Sequence, residues 1–398
     1  MDLTVVVTFF PLPQDRGDPI RVLMMLRALA RARRYTLFVV RRPETTDADV
    51  TRLRVLLPGV AVRDFTATPY RLDRLGPLGR YQESLLDGVP PWVRTRYSHQ
   101  LHEALRTRAG VGLAIGEAAG VYVRDTPLRW HWDKANVLAT SSRQDVDEAV
   151  GVAQQLRARY LARISARFER EALTGCATVS VTSAEEATRL AREYGRQADF
   201  TLPSCVPLPD GYVARPVAGR LVWLSSFSYR PNLLGLHRFL ADGWPRLRAA
   251  GYTLELVGSG LTEPVRAALG EHDGLELTGW AADLRPVLGR ARAAVVPLWS
   301  GAGVKLKTLT LLAHSVPVFS TPIGREGVPA TDAVRTADTP VGLAEAILTT
   351  TPAELDRMAD AALSLVRGHF SEARFADQLV DSLDRLGQLG TVDSYEGT

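Results

Sequence analysis

The sequence predicts an α/β protein of two doubly wound parallel-sheet domains facing a cleft. Three observations carry this. Short continuous apolar runs, TVVVTFF (4–10), TLFVV (36–40) and GVAVRDF (59–65), alternate with segments of helical period. That is the pattern of strands covered on both faces by helices. The alternation stops over 201–219, where prolines at 203, 207, 209 and 216 break any period, and restarts at RLVWLSS (220–226). Finally, 398 residues exceed what a single core usually organises. The expected division is 1–205, 206–370 and a last segment, 371–398. Its helix, Ser371 to Leu386, aligns Phe375, Leu379, Leu383 and Leu386 on one face.

Composition narrows the class. Hydrophobic content of 46% and charged content of 23% are those of an ordinary globular chain. A net charge of +4 suits phosphorylated ligands or an anionic membrane surface, but it is not the dense basic stripe of a nucleic-acid binder. Two cysteines, Cys176 and Cys205, make neither a disulfide framework nor a zinc cage, and no Asp-x-Asp pair or histidine cluster suggests a metal. The start carries Asp2 and no positive leader, and no stretch approaches the ~20 apolar residues of a membrane helix. A cytoplasmic location is expected. Of 48 lysines and arginines only Lys134, Lys305 and Lys307 are lysines.

In the first domain the strand at 4–10 runs into a loop with Gly17, and Asp18 caps a helix from Pro19 to Arg33. Residues 70–97 show no clean period. GVGLAIGE (110–117) is a strand ending on Glu117, at the carboxyl end where a parallel sheet binds ligands. Trp130-His131-Trp132 precedes an expected strand at 136–140; the two indoles serve either to stack a sugar or to pin a loop. A helix over 146–172 and a strand at 177–183 follow, and Ser183 with Glu186 forms a capping-box pattern.

The second domain is organised around PLWSGAGVKLKTLTLLAHSVPVFSTPIGREGV (297–328). A strand end feeds the Gly301-Ala302-Gly303 turn, a helix from Val304, a strand at 317–321 and a second loop, Gly324 to Gly327. Glycines admit a ligand close to the backbone, and free N–H groups at a helix start point at anions. Lys305 and Lys307 fall in the first turn. Their i, i+2 spacing puts them on different faces, so at most one of them is expected to meet a ligand directly. Earlier, Ser225, Arg230 and Asn232 follow the strand at 220–226, and TLELVGSG (253–260) brings Gly258 to another strand end.

The run GxGxKxK…PVxST…GxEG, preceded by GWAADLRPVLGRARAAVVPL, resembles the nucleotide-binding half of GT-B glycosyltransferases, most closely the retaining family-four group. The resemblance is good over 220–330 and looser over 1–30 and 160–190. It implies two Rossmann-like domains and a nucleotide-diphosphate sugar as substrate, with no cofactor. Lys305, Arg230 and the Gly301–Gly303 amides would meet the diphosphate, Gly258 the nucleoside, and Trp280 with Ala281 the base. On the acceptor side it implies Gly17 and Glu117, with Trp130 and Trp132 as further candidates. The family holds the donor with two glutamates seven residues apart. Here the first position falls in the glycine turn and the second on Thr310, which leaves Glu326 as a substitute carboxylate for the ribose. The implied reaction is metal-independent transfer with retention to a small-molecule or glycan hydroxyl. An arginine-rich chain suggests a GC-rich source and antibiotic biosynthesis. A sugar-nucleotide 2-epimerase and a non-catalytic partner of a transferase remain the alternatives.

Overall fold

Leu3–Val7 (β1) has no exposed side chain, as expected of a strand at the centre of a sheet covered on both faces. The computed structural model describes residues 3–392 except 14–16, 73, 75, 148, 270, 271 and 302. It divides into two units, one of residues up to Pro203 together with those from Phe375 onward, the other Ser204–Arg374.

In the first unit β1 is joined by Tyr35–Arg41 (β2), Ala61–Thr66 (β3), Val111–Ile115 (β4), Arg129–Lys134 (β5), Thr178–Val181 (β6) and Phe200–Thr201 (β7). All pair in parallel, in the order β3-β2-β1-β4-β5-β6-β7. The second unit repeats the scheme with Arg220–Leu224 (β8), Thr253–Val257 (β9), Leu275–Gly279 (β10), Ala293–Val296 (β11), Val318–Ser320 (β12) and Val334–Thr336 (β13). Its order is β10-β9-β8-β11-β12-β13, again parallel. In each sheet the winding reverses once, between β1 and β4 and between β8 and β11. The loops leaving the carboxyl ends there diverge and open a crevice.

Several local expectations need correction. Trp130, His131 and Trp132 do not precede a strand; they lie within β5, and 138–147 is a helix. Both indoles are fully buried, so the acceptor platform proposed for Trp130 and Trp132 does not exist. The rings lie where Gly112 and Gly120 make room: a Cβ at Gly112 would stand 2.4 Å from the Trp130 ring and one at Gly120 2.7 Å from that of Trp132. The helix expected over 146–172 runs instead over Val152–Gly175, after Gly151 with φ of +87°. The first helix starts at Gly17, which places Asp18 inside its first turn rather than at the cap. The stretch 70–97 holds helices Gly76–Asp87 and Pro91–Arg94. Ser183 does cap the helix Ala184–Tyr194, but the Glu186 side chain accepts from Val137 N instead of closing the box.

Candidate functional site

The crevice of the second unit is built from three strand ends. β8 leads through Ser225 and Ser226 to the helix Arg230–Asp242, whose Gly235 lies so close to β11 that a Cβ would meet Pro297 O at 2.2 Å. β9 leads to Gly258, with φ of +135°, where a Cβ would stand 1.7 Å from Ser225 O. Gly258 is therefore required by backbone packing of two neighbouring strand ends. β11 leads to Trp299, held by a bond from its indole N–H to Asp338 O at 2.7 Å and by the Arg238 guanidinium 4.4 Å above the ring. That anchor precedes the turn, in which Gly301 and Gly303 take φ of +106° and +76°, a region L side chains avoid.

The helix after the turn runs Leu306–Ala313, so Lys305 is its N-cap residue with extended backbone (φ −86°, ψ 92°) rather than part of its first turn. The i, i+2 rule thus does not separate the lysines. Lys305 Nζ donates to Gly303 O at 2.6 Å and pairs with Glu326 Oε2 at 3.3 Å. Lys307 Nζ donates to Asn232 Oδ1 at 2.5 Å and to Ser225 Oγ at 3.3 Å. Among the described residues no carboxylate stands at ion-pair distance from Lys307. Burial, and then the charge of Lys305, push its pKa down to about 7. Among the described residues, Glu326 stands at ion-pair distance from Lys305 and no carboxylate does so from Lys307. Asn232 donates its amide to Ser226 O at 2.7 Å and offers its oxygen to Lys307. Lys307 is the lysine that the family resemblance left out in favour of Lys305.

The remaining donor-side candidates are placed as follows. Arg230 is exposed, in the first turn of its helix. Trp280, 69% exposed, directly follows β10, and Ala281 packs partly buried against the core. Thr310 is partly exposed, but its hydroxyl donates to Leu306 O at 2.9 Å. Glu326 is buried and turned onto Lys305 rather than presented at the surface. Ala302 lies outside the described residues.

In the first unit, Gly17 begins the first helix and is partly exposed. Glu117 starts a short 3-10 turn after β4, and its Oε1 accepts from Asn136 N at 2.7 Å. Burial raises its pKa, and the Lys134 charge opposes that rise. No helix of the described residues is long and apolar enough to cross a membrane.

Two parallel sheets of this winding, each with its crevice at the strand reversal, are the GT-B fold of glycosyltransferases. Residues 218–351 match the family model described as Glycosyl transferases group 1. HepE from Anabaena, solved with UDP-glucose, superposes with a TM-score of 0.65 at 12% identity, covering 97% of this chain and 100% of that one. WaaG, a glycosyltransferase involved in lipopolysaccharide biosynthesis, gives 0.61 at 15% identity, with 96% and 99% covered. A glycosyltransferase from Rickettsia africae gives 0.59 at 11%, with 97% and 98% covered. No curated protein sequence matches the chain.

Proposed function

We propose that the chain is a glycosyltransferase moving a sugar from a nucleotide-diphosphate donor to a hydroxyl of a small molecule or glycan. The observation that carries this reading is the Lys307 ammonium, enclosed at the sheet reversal between neutral oxygens with no carboxylate among the described residues at ion-pair distance. Such a group is unfavourable unless an anion joins it. The family match over 218–351 and the UDP-glucose bound by HepE support a sugar nucleotide as that anion.

The chemistry follows from where charge develops. Breaking the glycosyl–phosphate bond builds negative charge on the departing diphosphate and positive character on the sugar. Lys307, Lys305 and the Gly301 and Gly303 amides are the groups available to meet the first; Arg230 can swing to it from the helix start. Loss of one such donor typically costs ~10²–10³ in rate. We read the transfer as retaining and metal-independent, with Glu117 accepting a hydrogen bond from the acceptor hydroxyl. A cytoplasmic enzyme of antibiotic or envelope-glycan biosynthesis fits this reading.

One observation favours a second reading. The Thr310 hydroxyl is engaged by Leu306 O where the resembled family holds ribose with a carboxylate, as expected of a non-catalytic partner. Calorimetric titration with UDP, dTDP and GDP separates the two. Binding of one nucleotide that is lost in Lys307→Ala supports the transferase. No binding of any supports the partner. Donor turnover without an acceptor points to epimerisation, and the anomeric coupling of the product by NMR tests retention.

A further inference from the structure

Lys305 and Glu326 belong to two loops that pack as one piece. The loop 321–328 is closed on itself: Gly324 N donates to Thr321 Oγ1 at 3.1 Å, Arg325 N to Thr321 O at 3.1 Å and Val328 N to Arg325 O at 2.9 Å. It is then tied to the residues after the glycine turn. Thr308, fully buried, donates its hydroxyl to Gly324 O at 2.9 Å. Gly327 lies so near that a Cβ there would stand 2.3 Å from Val304 Cγ2. Glu326 is thereby presented from a rigid base, and its Oε2 stands 3.3 Å from Lys305 Nζ. The ammonium in turn donates to Gly303 O at 2.6 Å, inside the glycine turn.

Both side chains of the pair are nearly sealed, at 10% and 6% exposure, so solvent screens them little. A carboxylate placed in a crevice for a diphosphate repels that ligand, so its presence there calls for another role. The turn supplies one. With Gly301 and Gly303 at φ of +106° and +76°, its backbone is intrinsically free. Ordering it at the moment of binding costs affinity, a cost that a turn already held does not incur. Lys305 also carries the helix start, because its carbonyl accepts from Thr308 N at 2.8 Å and Leu309 N at 3.3 Å. Fixing Lys305 therefore fixes the turn before it and the first helical bonds after it, beside Lys307.

We propose that Glu326 is a positioning residue: through the Lys305 ammonium on the Gly303 carbonyl, it locks the glycine turn and the helix start in the form that receives a diphosphate. It acts through Lys305 and does not itself touch the ribose. Lys305 then serves the diphosphate chiefly by holding the turn. The inference rests on the reading of this crevice as a diphosphate site.

The test is Glu326→Gln, which keeps the shape of the side chain and removes its charge, in the full chain. By calorimetry inorganic pyrophosphate and UDP are both expected to bind about tenfold more weakly, the order of one lost charge-assisted bond. Hydrogen exchange at the Thr308 and Leu309 amides should quicken by a similar factor while that of β8 and β11 stays as it was. Unchanged or tighter pyrophosphate binding overturns the proposal. Tighter binding would mean that Glu326 only repels the anion, and unchanged binding with weaker UDP would make it the ribose carboxylate. If Glu326→Gln lacks a native circular dichroism spectrum, Glu326→Asp, which keeps the charge and shortens the reach, is read by the same signs. A wild-type chain that binds neither probe removes the diphosphate reading. The clamp on the turn then stands or falls on the exchange of Thr308 and Leu309 alone.

Discussion

Lys307 Nζ and Asn232 Oδ1 meet at 2.5 Å, and the Asn232 amide nitrogen is tied in turn to Ser226 O at 2.7 Å. This chain of bonds fixes an ammonium at the carboxyl end of β8 through groups that, among the described residues, are neutral. A buried cation held this way costs folding free energy and lends itself to an anionic ligand.

Lys307→Met should therefore keep or raise the melting temperature while weakening nucleotide-diphosphate binding by at least tenfold. Calorimetry and thermal unfolding on the same preparation check both. A fall in melting temperature together with unchanged binding would remove Lys307 from the site.

The lowered Lys307 pKa of about 7 gives a signed pH dependence. Free in the unfolded chain a lysine titrates near ~10.4, so between the two values the unfolded state binds more protons. This group then makes stability rise with pH across that window. Binding has the opposite sign, since the diphosphate needs the charged ammonium. Affinity is expected to fall above pH 7 by up to about tenfold per unit. At pH 8, calorimetry in buffers of different ionisation enthalpy should record a proton taken up on binding, and Lys307→Met should abolish it.

Two glycines separate packing from function. Gly258→Ala puts a Cβ 1.7 Å from Ser225 O, at φ of +135°, and should destabilise the protein by on the order of 3 kcal/mol. In Gly301→Ala the nearest atom, the Tyr229 hydroxyl, is 3.7 Å away. That change should cost only about 1–2 kcal/mol in backbone strain, with a larger loss of kcat. Denaturant titration beside initial-rate kinetics distinguishes them.

Trp132→Ala removes a fully buried indole whose N–H donates to Gly116 O at 3.0 Å. A loss of about 3–5 kcal/mol is expected. A soluble, stable Trp132→Ala protein with a raised KM for the acceptor alone would restore the platform that burial argues against.

Thr310→Glu introduces the carboxylate that the resembled family uses for ribose. If the donor lies as proposed, affinity should rise by one to two decades, the equivalent of about 1.5–3 kcal/mol. Titration with the nucleoside diphosphate measures it directly.

The legible and illegible parts of the sequence differ in kind. β1, β2, β8 and β11 are apolar runs, and their register on the chain was readable because each strand contributes its own reason for burial. β5, RWHWDK, was not readable. Its polar members are buried beside distant partners: His131 bonds Thr178 and Ser180 at 2.9 Å each, Asp133 takes Arg21 Nη2 at 2.8 Å, and Lys134 stands at ion-pair distance from Glu169. None of those partners is near in sequence, so no local pattern announces the strand. The apolar run at 136–140 imitated one instead.

The same distinction governs the site. Strand–glycine–helix order and the rarity of lysine were enough to single out 301–307 as the candidate anion-binding turn, because both are properties of adjacent residues. Which lysine lies against neutral oxygens and which against a carboxylate depended on Asn232 and Ser225, some eighty residues earlier, and on Glu326, some twenty later. The one-dimensional chain thus determined a repeated parallel winding and the strand ends that flank its reversals, since periodicity is local. Folding alone decided which polar groups are sealed, paired or left short of charge, since that depends on partners that only long-range packing brings together.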